Sequence, residues 1–198
     1  RVIPDGHVFE IEEGVRVSVQ DIAARLHLMP IHVREWVPVL EECGVQGAGA
    51  DALIDKLRDW IDKDSLRGLQ GAEAPYYCTA GLPGLPRNAY FQVPDELLFI
   101  PGFDESIYIC LLPYLSLWGT TDRAPLWAEP SIMGAYADSE TITNVLIQRA
   151  ERQDVRNLYA TLRSANPSIV NGLGSQIFRI NIVAQSPNPA RSVLNVEV

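Results

Sequence analysis

The two ends of this chain alternate apolar and polar residues, and the long stretch between them does not. Val8 to Val19, VFEIEEGVRVSV, reads as two short strands around a turn at Glu13-Gly14. Ile177 to Gln185 sets Phe178, Ile180 and Ile182 on one face, and Ser192 to Val198 does the same with Leu194, Val196 and Val198. Ser186-Pro187-Asn188-Pro189 is the turn between them. Period-two spacing with a single apolar face is what an antiparallel sheet needs when one side packs and the other meets water. A sheet assembled from both ends forces the intervening chain to leave and return. The expected fold class is therefore α+β: a small antiparallel sheet with strands from 1–19 and 177–198, and a large helical domain over 20–176 inserted into it.

The insert carries helical spacing. Ile22, Leu26 and Leu28, then Val33, Trp36, Val37 and Leu40, predict two helices broken near Met29-Pro30. Ala50 to Ile61 predicts a third, with Leu53, Leu57, Trp60 and Ile61 on one side. Pro75 to Ala89 is rich in Gly and Pro and reads as loop. Val93 opens a helix with Pro94 in its first turn, Pro101-Gly102 breaks it, and Asp104 is the expected N-cap of a helix over Glu105 to Leu112. Residues 119–137 read as irregular, and two more helices are expected near 139–151 and 154–164.

Charge and motif content narrow the function. A net charge of −9 argues against nucleic acid as a partner, because phosphate backbones are met by basic stripes. It suits a secreted or periplasmic protein, or one that binds cations. The pattern over Val17 to Leu40 nonetheless resembles a helix-turn-helix, and Gln92 to Leu117 a helix-hairpin-helix around Ile100-Pro101-Gly102-Phe103. A DNA-binding module is the alternative these patterns keep open, although the second helix offers only His32, Arg34 and Glu35 to a groove, and Asp104 would repel a phosphate. Catalytic signatures are missing: no Gly-x-Ser-x-Gly elbow, no Gly-x-Gly-x-x-Gly and no Walker loop. A Cys43 pair with His27 or His32 is the one nucleophilic arrangement the sequence offers. Cys43, Cys78 and Cys110 form no C-x-x-C pair. They are read as buried thiols, with one disulfide and one free thiol as the alternative. The chain begins at Arg1 without Met and has no apolar run near 18 residues. It reads as a processed or trimmed form, any membrane anchor lying upstream of Arg1.

The chemistry concentrates where the third helix ends. Asp59, Asp62 and Asp64 fall within six residues, a Gly-containing loop follows, and Glu73 comes after Gly71-Ala72, beside Tyr76 and Tyr77. Carboxylates gathered at a helix end and a Gly-bearing loop suit a hard cation such as calcium, which takes oxygen ligands. The spacing differs from the EF-hand loop. The competing reading makes Asp59 and Asp62 solvated helix-end residues and pairs Glu73 with Arg67.

Asp51 to Tyr77 carries Ala-Leu-Ile-Asp, Asp-Trp-Ile-Asp-Lys-Asp and Gly-Ala-Glu elements. Asn88 to Trp118 carries Val93-Pro94-Asp95-Glu96-Leu97, the Pro101-Gly102 turn and Leu112-Pro113-Tyr114-Leu115. With the terminal hairpin, Phe178 to Val198, these blocks resemble a known family, the K-type minor pseudopilin of the bacterial type II secretion system (general secretion pathway protein K). The hairpin resembles its closing strands, and Glu13 to Val19 its strand before the helical domain. Thr120 to Tyr136 has no clear equivalent. The resemblance implies a pilin-like fold and a non-catalytic subunit at the tip of a periplasmic pseudopilus. It also implies I- and J-type minor pseudopilins as partners, contact with secreted protein substrate, and attachment to the inner membrane only through an N-terminal helix absent from this sequence. Calcium binding in the helical domain is likewise implied, carried over to Asp62, Asp64 and Glu73, with Asp59.

Overall fold

The computed structural model describes residues 3–151, 155–167, 174, 177–185 and 191–197. The chain divides into two compact units, Leu26–Gly119 and the remainder, Arg1–Arg25 with Thr120–Val198.

The split unit holds the sheet. Strand β1 (Asp5–Glu12) turns through Gly14, at φ +76°, into β2 (Val15–Asp21). The positive φ is where a residue without Cβ costs least. From the far end of the chain come β5 (Phe178–Gln185) and β6 (Arg191–Glu197). The order is β1-β2-β5-β6, every pair antiparallel. Val17 faces Ile182 and Val19 faces Ile180 across the central pair, which joins the two termini of the chain in register. The Ser186–Pro189 turn and the face assigned to Leu194, Val196 and Val198 lie outside what is described. Asp21 ends β2 by accepting the Ala23 amide at 2.8 Å. That cap opens a single 3-10 turn, Ile22–Ala24.

Between the two ends, this unit also contains a 3-10 turn (Pro125–Trp127) and three helices. The helices are α5 (Pro130–Met133), α6 (Ser139–Ala150) and α7 (Val155–Ala165). Asp138 caps α6 by accepting the Thr141 amide at 2.8 Å. Helices α6 and α7 pack together, and Val145, Leu158 and Leu162 are buried with Leu126, Trp127, Ile132 and Met133. Arg149 reaches Asp5 at 3.4 Å and donates to the Ala128 carbonyl at 2.9 Å, tying α6 to β1. The expected single insert over 20–176 is thus divided, because these later helices bury their apolar faces within the sheet's own unit.

The second unit is mainly helical. It runs β3 (Leu26–His27), α1 (Val33–Glu42), α2 (Ala48–Ile61), α3 (Ala74–Ala80), a 3-10 turn (Pro94–Phe99), α4 (Glu105–Leu111) and β4 (Leu115–Ser116). Strands β3 and β4 pair in parallel, so the chain enters and leaves this unit side by side. The core is Trp36, Leu40, Leu53, Leu57, Trp60, Tyr77, Phe91, Leu97, Ile100 and Leu111. Trp36 meets Phe103 edge to face at 6.5 Å. Asp104 caps α4 as expected, accepting the Ile107 amide at 2.9 Å.

Three expectations fail here. Ile22 to Leu28 is a 3-10 turn and a strand rather than a helix, which removes the first half of the helix-turn-helix. Pro75 lies inside a helix, α3, because it stands in the first turn where no intrahelical amide is needed. The thiols are not all buried. Cys43 and Cys110 form a disulfide with Cα atoms 5.8 Å apart, and Cys78 is free and exposed. Packing of α1 against α4 brings the two bonded cysteines together. Bonded to Cys110, the Cys43 sulfur is no nucleophile for His27 or His32.

Candidate metal site

Helix α2 ends at Ile61 with Asp62 as its C-cap, its amide donating to the Arg58 carbonyl at 3.0 Å. Asp59 precedes it by three residues, so the two carboxylates share a face near the helix end. The chain then loops back over them. The Leu66 amide donates to Asp64 Oδ1 at 2.8 Å, the Gly68 amide to both Asp59 oxygens at 3.1 Å, and the Gln70 amide to Asp55 Oδ2 at 3.0 Å. Every second amide of the loop is therefore held by an acidic side chain. This fold-back delivers Glu73, the N-cap residue of α3, to Asp59 and Asp62. One oxygen from each of the three lies within 4.8 Å of the others.

Asp59 and Glu73 are each 3% exposed. Burial pushes the Asp59, Asp62 and Glu73 carboxyls up, and the neighbouring acids push them further. In Asp59 the Gly68 and Ala72 amides oppose that rise. Asp62 Oδ1, Glu73 Oε1 and the Tyr77 hydroxyl are buried and have no hydrogen-bond partner among the described residues. Buried oxygens are ordinarily satisfied, and each orphan costs about 1–3 kcal/mol. Three orphans around one cluster of mutually repelling carboxylates make an oxygen-lined place for a positive charge. No ion pair joins Glu73 to Arg67 among the described residues, so the helix-end reading loses its pairing. The donor set is all hard oxygen, which fits calcium and not a thiolate-seeking metal.

Asp64 stands apart from the three. It is exposed, and its Oδ1 accepts the Leu66 amide. Its charge still reaches Asp59, Asp62 and Glu73 and adds to the rise in each. Two participants escape a reading of the acids alone. Tyr77 follows Glu73 by four residues on α3, its ring 6.1 Å from that of Trp60, and burial keeps its phenol protonated far above neutral pH. The Glu-to-Tyr spacing of four, one helical turn, was the available signal. Gly71 is the other. A Cβ there would stand 1.9 Å from Asp59 Oδ2. Gly71→Ala is expected to displace the Asp59 carboxylate and destabilise the unit by about 1–3 kcal/mol; urea unfolding measures it, and a change below about 0.5 kcal/mol would contradict the contact.

An α+β chain with a sheet built from its two ends, a separate helical unit and an oxygen-lined cluster defines a class of protein. Its overall fold is that of a chain in the crystal structure of the GspK-GspI-GspJ complex from the enterotoxigenic Escherichia coli type 2 secretion system. The match has a TM-score of 0.56 at 17% identity and covers 98% of this chain and 83% of that one. The family model for protein K of the type II secretion system matches residues 21–120, and the chain belongs to that family. Type II secretion system protein K of Aeromonas hydrophila is 34% identical over 91 residues, 46% of this chain and 28% of that protein. The putative type II secretion system protein K of Escherichia coli K12 is 30% identical over 116 residues, 59% of this chain and 34% of the relative. The matched stretch thus spans about a third or less of these curated relatives. The family match contains both the carboxylate cluster and the disulfide, and ends where the helical unit ends.

Proposed function

We propose that this protein is a minor pseudopilin, a non-catalytic tip subunit that assembles with I- and J-type minor pseudopilins on the periplasmic side of the bacterial inner membrane and supports protein export. The observation that carries this reading is the fold shared with a chain of the GspK-GspI-GspJ complex, combined with membership of the protein K family. The helical unit at the tip would contact partner subunits or secreted substrate. No helix among the described residues is long and apolar enough to cross a membrane.

The DNA-binding alternative is not supported. The helix-turn-helix lacks its first helix, and Asp104 already caps the N-terminus of α4, where a phosphate would have to bind. Mixing the purified chain with the I- and J-type subunits of its own secretion system is the direct test. Co-elution as one species on gel filtration at micromolar concentration is expected. Three separately eluting proteins would overturn the assignment.

The cluster at the end of α2 is the proposed calcium site, with Asp59, Asp62 and Glu73 as ligands and Asp64 adding charge from outside. The support is the three orphaned oxygens and the all-oxygen donor set. Bound calcium would supply the positive charge that these carboxylates lack. The chain's own part is to hold the α2 end, the amide-tethered loop and the start of α3 in one arrangement.

A further inference from the structure

The Tyr77 hydroxyl adds a side-chain donor to the backbone amides that already serve Asp59. Its residue is fully buried, at 0% exposure, and its oxygen has no partner among the described residues. Around it stand Glu73, one turn earlier on α3, and Asp59 across from it at the end of α2, both close enough to act on the phenol electrostatically. Glu73 Oε1 and Asp62 Oδ1, both of the three-carboxylate group, are likewise buried and without a partner among the described residues. A phenol is a poor ligand for a hard dication while it keeps its proton, but a good donor to a carboxylate that binds one. Ionised carboxylates have about four lone-pair sites, so an oxygen turned toward a cation leaves another free to accept. Donors of this kind orient metal ligands, and their removal ordinarily weakens binding about 10–100-fold.

We propose that Tyr77 is a positioning residue of the calcium site, its hydroxyl donating to the coordinating carboxylates and fixing their orientation when the cation is bound. This rests on the calcium reading above. Removing the hydroxyl should therefore weaken calcium binding while leaving the metal-free fold intact.

The test compares the full chain with Tyr77→Phe, using calcium alone as the probe in titration calorimetry and thermal unfolding in EDTA. Tyr76→Phe, on the neighbouring and partly exposed ring, is the control. Support would be calcium binding to Tyr77→Phe about tenfold weaker or more, with its EDTA midpoint equal to or above wild type and Tyr76→Phe unchanged. Calcium binding by Tyr77→Phe as tight as wild type would overturn the role of Tyr77 and leave the calcium reading standing. An EDTA midpoint lowered by several degrees would also overturn it, because the hydroxyl would then be structural. Wild-type protein that binds no calcium would overturn both readings together.

Discussion

Millimolar calcium is expected to raise the thermal unfolding midpoint well above its value in EDTA. An ion that binds only the folded chain at about a hundred times its dissociation constant adds ~2.7 kcal/mol. For a chain of this size each kcal/mol moves the midpoint by about 2–4 °C, so a rise of roughly 5–10 °C should be seen. The physical source is the repulsion among Asp59, Asp62 and Glu73, which burial intensifies and no described cation relieves. Asp62→Asn should abolish most of the rise and increase stability in EDTA. Asp64→Asn should do less, since that side chain lies outside the three-oxygen group. Equal midpoints in calcium and EDTA would remove the metal from the account.

The same carboxylates give the rise a pH dependence of definite sign. Their folded-state pKa values lie above the ordinary 3.8 for Asp and 4.5 for Glu. Without metal the folded chain therefore holds more protons than the unfolded one. The cluster costs least below the ordinary values, and its cost grows as pH rises through the elevated folded ones. Calcium binds the ionised carboxylates and reverses that preference. The gap between the calcium and EDTA midpoints should widen steadily from about pH 4 to pH 7. A gap that stays constant across that range would mean the ion binds elsewhere.

The second large effect belongs to the Cys43–Cys110 disulfide. It joins the end of α1 to α4 across a sequence separation of 67. A closed loop of that length restricts the unfolded chain strongly, and losing such a bridge costs about 2–5 kcal/mol. Cys43→Ser with Cys110→Ser should lower the unfolding free energy by that amount in urea. Dithiothreitol should reproduce the loss in the wild type and leave the double variant unaffected. The loop it closes contains α2, the tethered segment and α3, hence all three carboxylates of the cluster. Calcium affinity should therefore weaken along with stability when the bridge is removed. A loss under 1 kcal/mol would mean that packing alone holds α1 to α4.

The sheet was legible because alternation in both terminal segments admits few alternatives and Gly14 marks the turn. The misassigned helix at Ile22 shows the limit. A short, fully buried run has no exposed face to set its period, and the cap made by Asp21 decides the local geometry instead. Pro75 hid α3 because proline breaks a helix interior but is tolerated in its first turn. Asp59 and Asp62 could be placed together from their spacing. The return of Glu73 depends on amides at 66, 68 and 70 finding carboxylates, which no residue pattern announces. The disulfide depended on which helices pack, a question of tertiary structure that a sequence separation of 67 conceals.

The parallel pair of β3 and β4 has a consequence for how such a chain can vary. The Leu26 amide donates to the Tyr114 carbonyl at 2.9 Å, the Leu28 amide to Ser116 at 3.0 Å and the Gly119 amide to Met29 at 2.8 Å. Everything from Leu26 to Gly119 hangs from this doorway, whose two jambs are adjacent backbone strands. A segment with neighbouring ends is a cassette: it can lengthen, shrink or be exchanged while its points of departure and return stay together. Relatives with very different helical units could then keep the same sheet, and a designer could transplant the unit onto another host through two short splices.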